Sequence, residues 1–244
     1  MDLNQIEKFW DDICEEDPMW GILSIPQKRG NKWDKSEFFK SGKNEIDDLF
    51  SLSLSGIKID KDIPSLDFGC GLGRCTRGLT SYFNKVTGVD LSASMIKKAT
   101  ILNKNIPNCT FVHNPKDNLQ IFANEYFGFI YCHLTLQHIP PQLQLNYLNE
   151  FCRVLKRNGI MVFQIVSGFS LNPKGILRFL LGKKVSEFYN QKKYKLTIPI
   201  KMHLLKKKRV VTLLQSNNIT VINQVKDNSA GKSFVSYKFI CKKN

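Results

Sequence analysis

Apolar and polar positions alternate between two rhythms along the chain. Short runs rich in apolar and β-branched residues at 64–69, 85–90, 109–113, 127–132 and 160–166 read as strands. Between them lie stretches with helical spacing at about 74–83, 93–103 and 141–155. In the last of these Leu143, Tyr147, Leu148, Phe151 and Leu155 share one face. Ser92 is placed to cap the second helix, Pro140-Pro141 to start the third and Asn158-Gly159 to end it. Helices at 4–16 and 35–54 precede the first strand, with an aromatic segment (Trp20, Trp33, Phe38, Phe39) between and around them. Strand–helix alternation predicts an α/β fold, a doubly wound parallel sheet with right-handed crossovers and an N-terminal helical extension over residues 1–58. After 205 the rhythm breaks: a helix at 206–217, a strand at 219–225, the turn-rich Asp227-Asn228-Ser229-Ala230-Gly231 and a strand at 234–241. Two strands joined by a short loop form a hairpin, so the seventh and last strand should run antiparallel to its neighbours.

The first strand leads into Asp67-Phe68-Gly69-Cys70-Gly71-Leu72-Gly73-Arg74, and the second ends at Gly88-Val89-Asp90-Leu91-Ser92. Strand, glycine loop, helix, strand and terminal acid form the layout of a nucleoside-binding βαβ unit. Dinucleotide sites space their glycines G-x-G-x-x-G around a pyrophosphate. Here the spacing is G-x-G-x-G, with Asp67 two residues before the first glycine. A carboxylate there repels pyrophosphate and suits a cation. S-adenosyl-L-methionine carries an ammonium and a sulfonium and no phosphate.

These motifs, with Phe129-Ile130-Tyr131-Cys132-His133-Leu134, Gln137-His138-Ile139 and Arg153-Val154-Leu155-Lys156-Arg157-Asn158-Gly159, resemble those of the class I S-adenosylmethionine-dependent methyltransferases over about residues 60–241. The resemblance implies a Rossmann-like seven-stranded sheet, mostly parallel with an antiparallel last strand, and S-adenosyl-L-methionine as cofactor with S-adenosyl-L-homocysteine as product. It implies that Asp67 binds the methionyl ammonium, directly or through water, and that Gly69, Cys70, Gly71 and Gly73 bring backbone close to the methionyl and ribose part. Asp90 would take both ribose hydroxyls, while Leu91, Met95 and Leu134 would line the nucleoside. The adenine amine is assigned to Asn114 or Asp117. Where the family usually has an acid, this chain reads His113-Asn114-Pro115-Lys116-Asp117. Trp33 and Phe39 are expected to form a lid or acceptor wall.

Methyl transfer is an in-line displacement that depends on alignment; a hydroxyl acceptor also benefits from a general base. His133 and His138, at the end of the fourth strand, are the candidates, the alternative for each being a structural turn histidine. They favour an O-methyltransferase for a small molecule or glycan. An RNA or protein methyltransferase and a non-catalytic S-adenosylmethionine-binding module are the rivals.

Composition narrows the setting. Seven scattered cysteines without any C-x-x-C argue for a reducing, cytoplasmic compartment and against disulfides or a metal site. The net charge of +15 is wholly local: residues 166–244 hold 17 Lys/Arg against Glu187 and Asp227 alone. Such a field attracts anions, so an anionic or phosphorylated acceptor, nucleic acid (the less favoured partner) or a peripheral membrane contact enters the picture. The stretch 167–205, apolar and basic at once, is expected to form a substrate cap on a single 1–244 domain, with membrane-surface binding as its alternative.

Overall fold

A computed structural model describes residues 2–194 and 201–244. The side chains of 182–187, 189, 190, 193 and 194 also lie outside the described residues. With 195–200, they take in much of the expected cap's basic stretch, including Lys183-Lys184 and Lys193-Tyr194-Lys195.

The chain divides into two compact units. The first comprises residues up to Tyr131 together with Arg153–Ile160; the second comprises Cys132–Cys152 and Met161–Asn244. The first begins with helices α1 (Leu3–Glu16), α2 (Pro18–Ile22) and α3 (Lys35–Asp48). Then come β1 (Ser65–Phe68), α4 (Arg74–Leu79), β2 (Val86–Asp90), α5 (Ala93–Leu102), β3 (Cys109–His113) and β4 (Phe127–Cys132). The second unit takes in all but the last two residues of α6 (Pro141–Val154), most of β5 (Leu155–Phe169), α7 (Pro173–Tyr194), α8 (Lys207–Ser216), β6 (Ile219–Asp227) and β7 (Phe234–Lys243). The seven strands follow the order β3-β2-β1-β4-β5-β7-β6.

β1 pairs in parallel with both β2 and β4, setting Asp67 opposite Gly88 on one side and Tyr131 on the other. Strand order reverses at β1, the switch point where open α/β sheets bind ligands beyond the strands' carboxyl ends. β6 and β7 are antiparallel, with a bulge between Val221 and Asn223. Every residue of β1 and β4 is buried, so neither strand alternates inside and outside. Phe83 stacks on Phe129 in the first unit and Phe163 on Phe239 in the second, at centroid distances of 5.1 and 5.2 Å.

Two boundaries differ from the sequence expectation. The helix foreseen at 35–54 is regular only to Asp48 and closes in a wide turn over Leu49–Ser53. Helix α6 ends at Val154, not at Asn158-Gly159. Extended chain starts at Leu155, and Asn158 takes φ +63° inside β5. Asn-Gly forms a turn within extended chain as readily as it stops a helix, and here it does the former.

Candidate cofactor site

The loop after β1 needs left-handed backbone at three alternate positions: φ is +75°, +53° and +81° at Gly69, Gly71 and Gly73. At Gly71 a Cβ would come within 2.6 Å of Ile22 Cδ1, and at Gly73 within 2.7 Å of the Phe111 ring. The spacing G-x-G-x-G therefore meets a conformational need and a packing need together. Gly71 N–H donates to Asp90 Oδ2 at 2.8 Å and Ser92 N–H to Oδ1 at 2.9 Å. Each carboxylate oxygen keeps a lone pair for a further donor. Burial pushes the Asp90 carboxyl up, opposed by these backbone donors.

Asp67 is buried, and its Oδ2 accepts from Thr76 Oγ1 at 2.6 Å. Burial pushes its carboxyl up to about 6, against the lowering effects of Thr76 and Arg74. A buried acid with so raised a pKa favours a cationic partner. Beside it stands a group that no sequence signal disclosed. Arg74 donates to Glu45 Oε2 at 2.8 Å, and Tyr131 OH to Glu45 Oε1 at 2.6 Å. The Arg74 Nε–H is buried with no hydrogen-bond partner. Cys70 is buried with its thiol pushed well up by burial, so it is inert packing.

The remaining candidates are placed as follows. Met95 is buried, and its N–H is capped by Ser92 Oγ at 3.0 Å; Leu91 is half-buried. Asn114 is buried, with its N–H on Asp90 O at 2.9 Å and its amide nitrogen on Asn118 O at 2.7 Å, which fixes the turn after β3. Asp117 is exposed and accepts from Asn118. Trp33 is buried, donating from Nε1 to Leu23 O at 3.3 Å and meeting Phe38 edge-on. Phe39 lies under the Arg77 guanidinium, 3.5 Å from its ring centroid, and lines a concavity of about 690 Å³ with Asp34, Lys35, Lys40 and Lys43. That concavity contains no residue of the glycine loop.

Helix α1 is tied to the acidic loop through Asp11, another residue the sequence did not flag. Its Oδ1 accepts from Ser92 Oγ at 2.6 Å and Ser94 N–H at 3.1 Å. His113, at the end of β3, bonds Glu7 and Leu91 O.

In the second unit Leu134 adopts φ +58°, strained for a side chain of its size. His133 Nε2 lies 3.0 Å from Ser229 Oγ and 3.6 Å from Asp227 Oδ2, and Ser229 Oγ donates to Asp227 Oδ2. Burial alone would raise the Asp227 carboxyl. The hydrogen bonds from His133 and Ser229 outweigh it and hold the pKa at about 2. His138 bonds Lys201 O through Nδ1 at 2.9 Å, and its Nε2 accepts from Gln137 at 3.0 Å. Burial lowers its pKa to about 4.

The family model "Methyltransferase domain" matches residues 66–163. N-demethylindolmycin N-methyltransferase of Streptomyces griseus is 32% identical over 109 residues, 44% of each chain. Ubiquinone biosynthesis O-methyltransferase of Nitrosomonas europaea is 26% identical over 70% of this chain and 71% of its own. Less than half of the Streptomyces protein's length is thus spanned. Magnesium protoporphyrin IX methyltransferase of Synechocystis PCC 6803, solved with bound SAH, superposes over 100% of both chains with a TM-score of 0.68 at 14% identity, a likeness of fold. The glycine loop and the order of strands agree with these likenesses, and residues 66–163 match a methyltransferase domain.

Proposed function

We propose that this chain methylates an oxygen atom of a small-molecule or glycan acceptor, one with anionic or phosphorylated character, using His133 as general base. The observation that carries the reading is the chain His133–Ser229–Asp227. Ser229 spends its proton on Asp227, so its oxygen accepts from His133. The His133 proton is thereby held on Nε2. A carboxylate behind an imidazole orients the ring and stabilises the imidazolium formed on taking a proton. His133 directly follows β4, at the strand ends where such sheets bind ligands. His138 supports the reading less, because burial lowers its pKa to about 4 and makes it a weak base.

The residues present fit the cofactor. Asp67 would take the ammonium, the orphaned Arg74 Nε–H the methionyl carboxylate, and Asp90 the ribose hydroxyls. When bound, S-adenosyl-L-methionine supplies an electrophilic methyl group. The chain's task is then to align the acceptor oxygen and remove its proton. The N. europaea relative is named as an O-methyltransferase, which agrees, whereas the S. griseus relative is named for nitrogen.

The test is release of S-adenosyl-L-homocysteine against a panel of phenols, hydroxylated glycans and carboxylic acids, with phosphorylated counterparts. His133→Ala should lower turnover about 10²–10⁴-fold and Asp227→Asn about tenfold or more, while cofactor affinity is unchanged. Parental turnover by His133→Ala on the best acceptor would remove the base. Transfer only to RNA, with affinity falling steeply as salt rises, would replace the acceptor class.

A further inference from the structure

Helix α7 wears its apolar side chains on the outside. Its 22 residues span about 33 Å at the helical rise of about 1.5 Å per residue. Gly175 is buried: a Cβ there would lie 2.0 Å from Ser170 O, so the helix start is pressed against its own approach strand. Three residues on, Arg178 stacks over the Phe234 ring at 4.7 Å. Asn172 fixes the same end, accepting from Gly175 N–H and donating to Lys232 O at 2.6 Å. These contacts define the inner face. Ile176, Leu177, Leu180 and Leu181 are exposed, Leu180 at 72%, and Phe179, whose ring meets Phe169 edge-on at a centroid distance of 6.0 Å, is still 66% exposed. Phe188 further along is exposed as well, and Leu171, just before the helix, is 90% exposed. Large apolar side chains scattered singly on a surface need no explanation; seven within 18 residues of one segment do.

The charge on the helix limits what can cover that face. Among its described side chains it carries Lys174, Arg178 and Lys192 and no acid. Two copies of the helix brought face to face would set like charges together. A nucleic acid would satisfy the lysines and leave the leucines in water. A bilayer containing acidic lipids satisfies both, because headgroups meet the lysines while the apolar side chains enter the acyl boundary. No helix among the described residues is long and apolar enough to cross a membrane, so the helix would lie in the interface plane.

We propose that α7 is a peripheral membrane-docking helix, holding the protein on anionic lipid surfaces through Leu177, Phe179, Leu180 and Leu181 with Lys174 and Lys192. The proposal is independent of the acceptor and of the base.

Sedimentation of the full chain with vesicles tests it, comparing phosphatidylcholine alone with a phosphatidylcholine–phosphatidylglycerol mixture. The protein should pellet with the mixture at low salt and not with the neutral vesicles. The double substitution Phe179→Glu/Leu180→Glu should lower partitioning at least about tenfold. Both positions are exposed, so unchanged circular dichroism is expected. As a second readout, Phe179→Trp should blue-shift its emission when the mixed vesicles are added. Absence of pelleting at low salt, equal pelleting of the double variant, or an unshifted Trp emission would each overturn the proposal. So would a stable dimer of the parent that the double substitution splits without any vesicle binding.

Discussion

Asp67 is poised to sense the charge of whatever enters the loop, because burial holds its carboxyl near 6 in the ligand-free protein. An ammonium placed beside it favours the ionised form, so its pKa falls on binding and, below about pH 6, binding releases a proton. Affinity for S-adenosyl-L-methionine should therefore drop as pH falls below about 6, approaching tenfold per pH unit. Calorimetric titration in two buffers of different ionisation heat reads the released proton directly. Asp67→Asn should bind more weakly and with a flat profile through that window; a flat profile in the parent would place the ammonium elsewhere. At this scale the sequence disclosed the acids whose meaning is local. Asp67 and Asp90 stand within a few residues of the glycines and strand ends that give them a role. It did not disclose Glu45, Arg74 or Asp11. Glu45 and Arg74 meet across 29 positions, and Asp11 reaches Ser92 across 81, so no spacing rule connects them.

The elements succeed or fail on how closely they approach one another. Helix α3 lies on α4 with almost no room between backbones. A Cβ at Gly42 would stand 2.2 Å from Arg74 O, and one at Gly78 would stand 2.9 Å from Ile46 Cγ1 and 3.0 Å from Gly42 O. Because the obstacle at Gly42 is backbone, it cannot rotate away. Gly42→Ala should cost about 1–3 kcal/mol despite the better helix propensity of alanine, and shift Arg74 at the head of α4. Gly168→Ala, where a Cβ meets nothing within 4 Å, should stay within about 0.5 kcal/mol. Denaturant midpoints measure both, and a neutral Gly42→Ala would mean that the helices can slide apart. The same comparison explains what was legible in the elements. The strands β1 to β4 and helix α5 stand within a residue or two of their expected bounds, since burial and the Ser92 cap leave a local trace. A glycine inside α3 reads from sequence as a weak helix residue, when its reason is a neighbour 32 positions away.

Acid should act on the whole molecule unevenly, because its titratable burial is unevenly distributed. In the second unit His138 has a folded pKa of about 4, below its ordinary value of 6.5. The unfolded chain therefore binds the proton first. The stability His138 represents is present above about pH 6.5 and is lost as pH falls toward 4, to about 3 kcal/mol in all. Asp227 then acts on the same unit at lower pH. Its folded pKa of about 2 lies below the ordinary 3.8, so its contribution is present above 3.8 and fades as pH falls through 2. In the first unit the carboxyls of Asp67 and Asp90 are both raised; for Asp67, protonation favours the folded, ligand-free form as pH falls from about 6 toward 3.8. The two units should thus respond to mild acid with opposite signs. All three tryptophans, Trp10, Trp20 and Trp33, sit in the first unit, so their emission is the wrong monitor for the second. Amide hydrogen exchange resolved by residue is the right one. Between pH 6.5 and 4, after correction for intrinsic rates, protection should fall in α8 and the inner residues of β5 while holding or rising in β1 and β2. Replacing His138 with Asn should flatten the loss in the second unit. Equal loss of protection in both units, unchanged by that substitution, would mean that neither the imidazole nor the buried loop acids set the acid response.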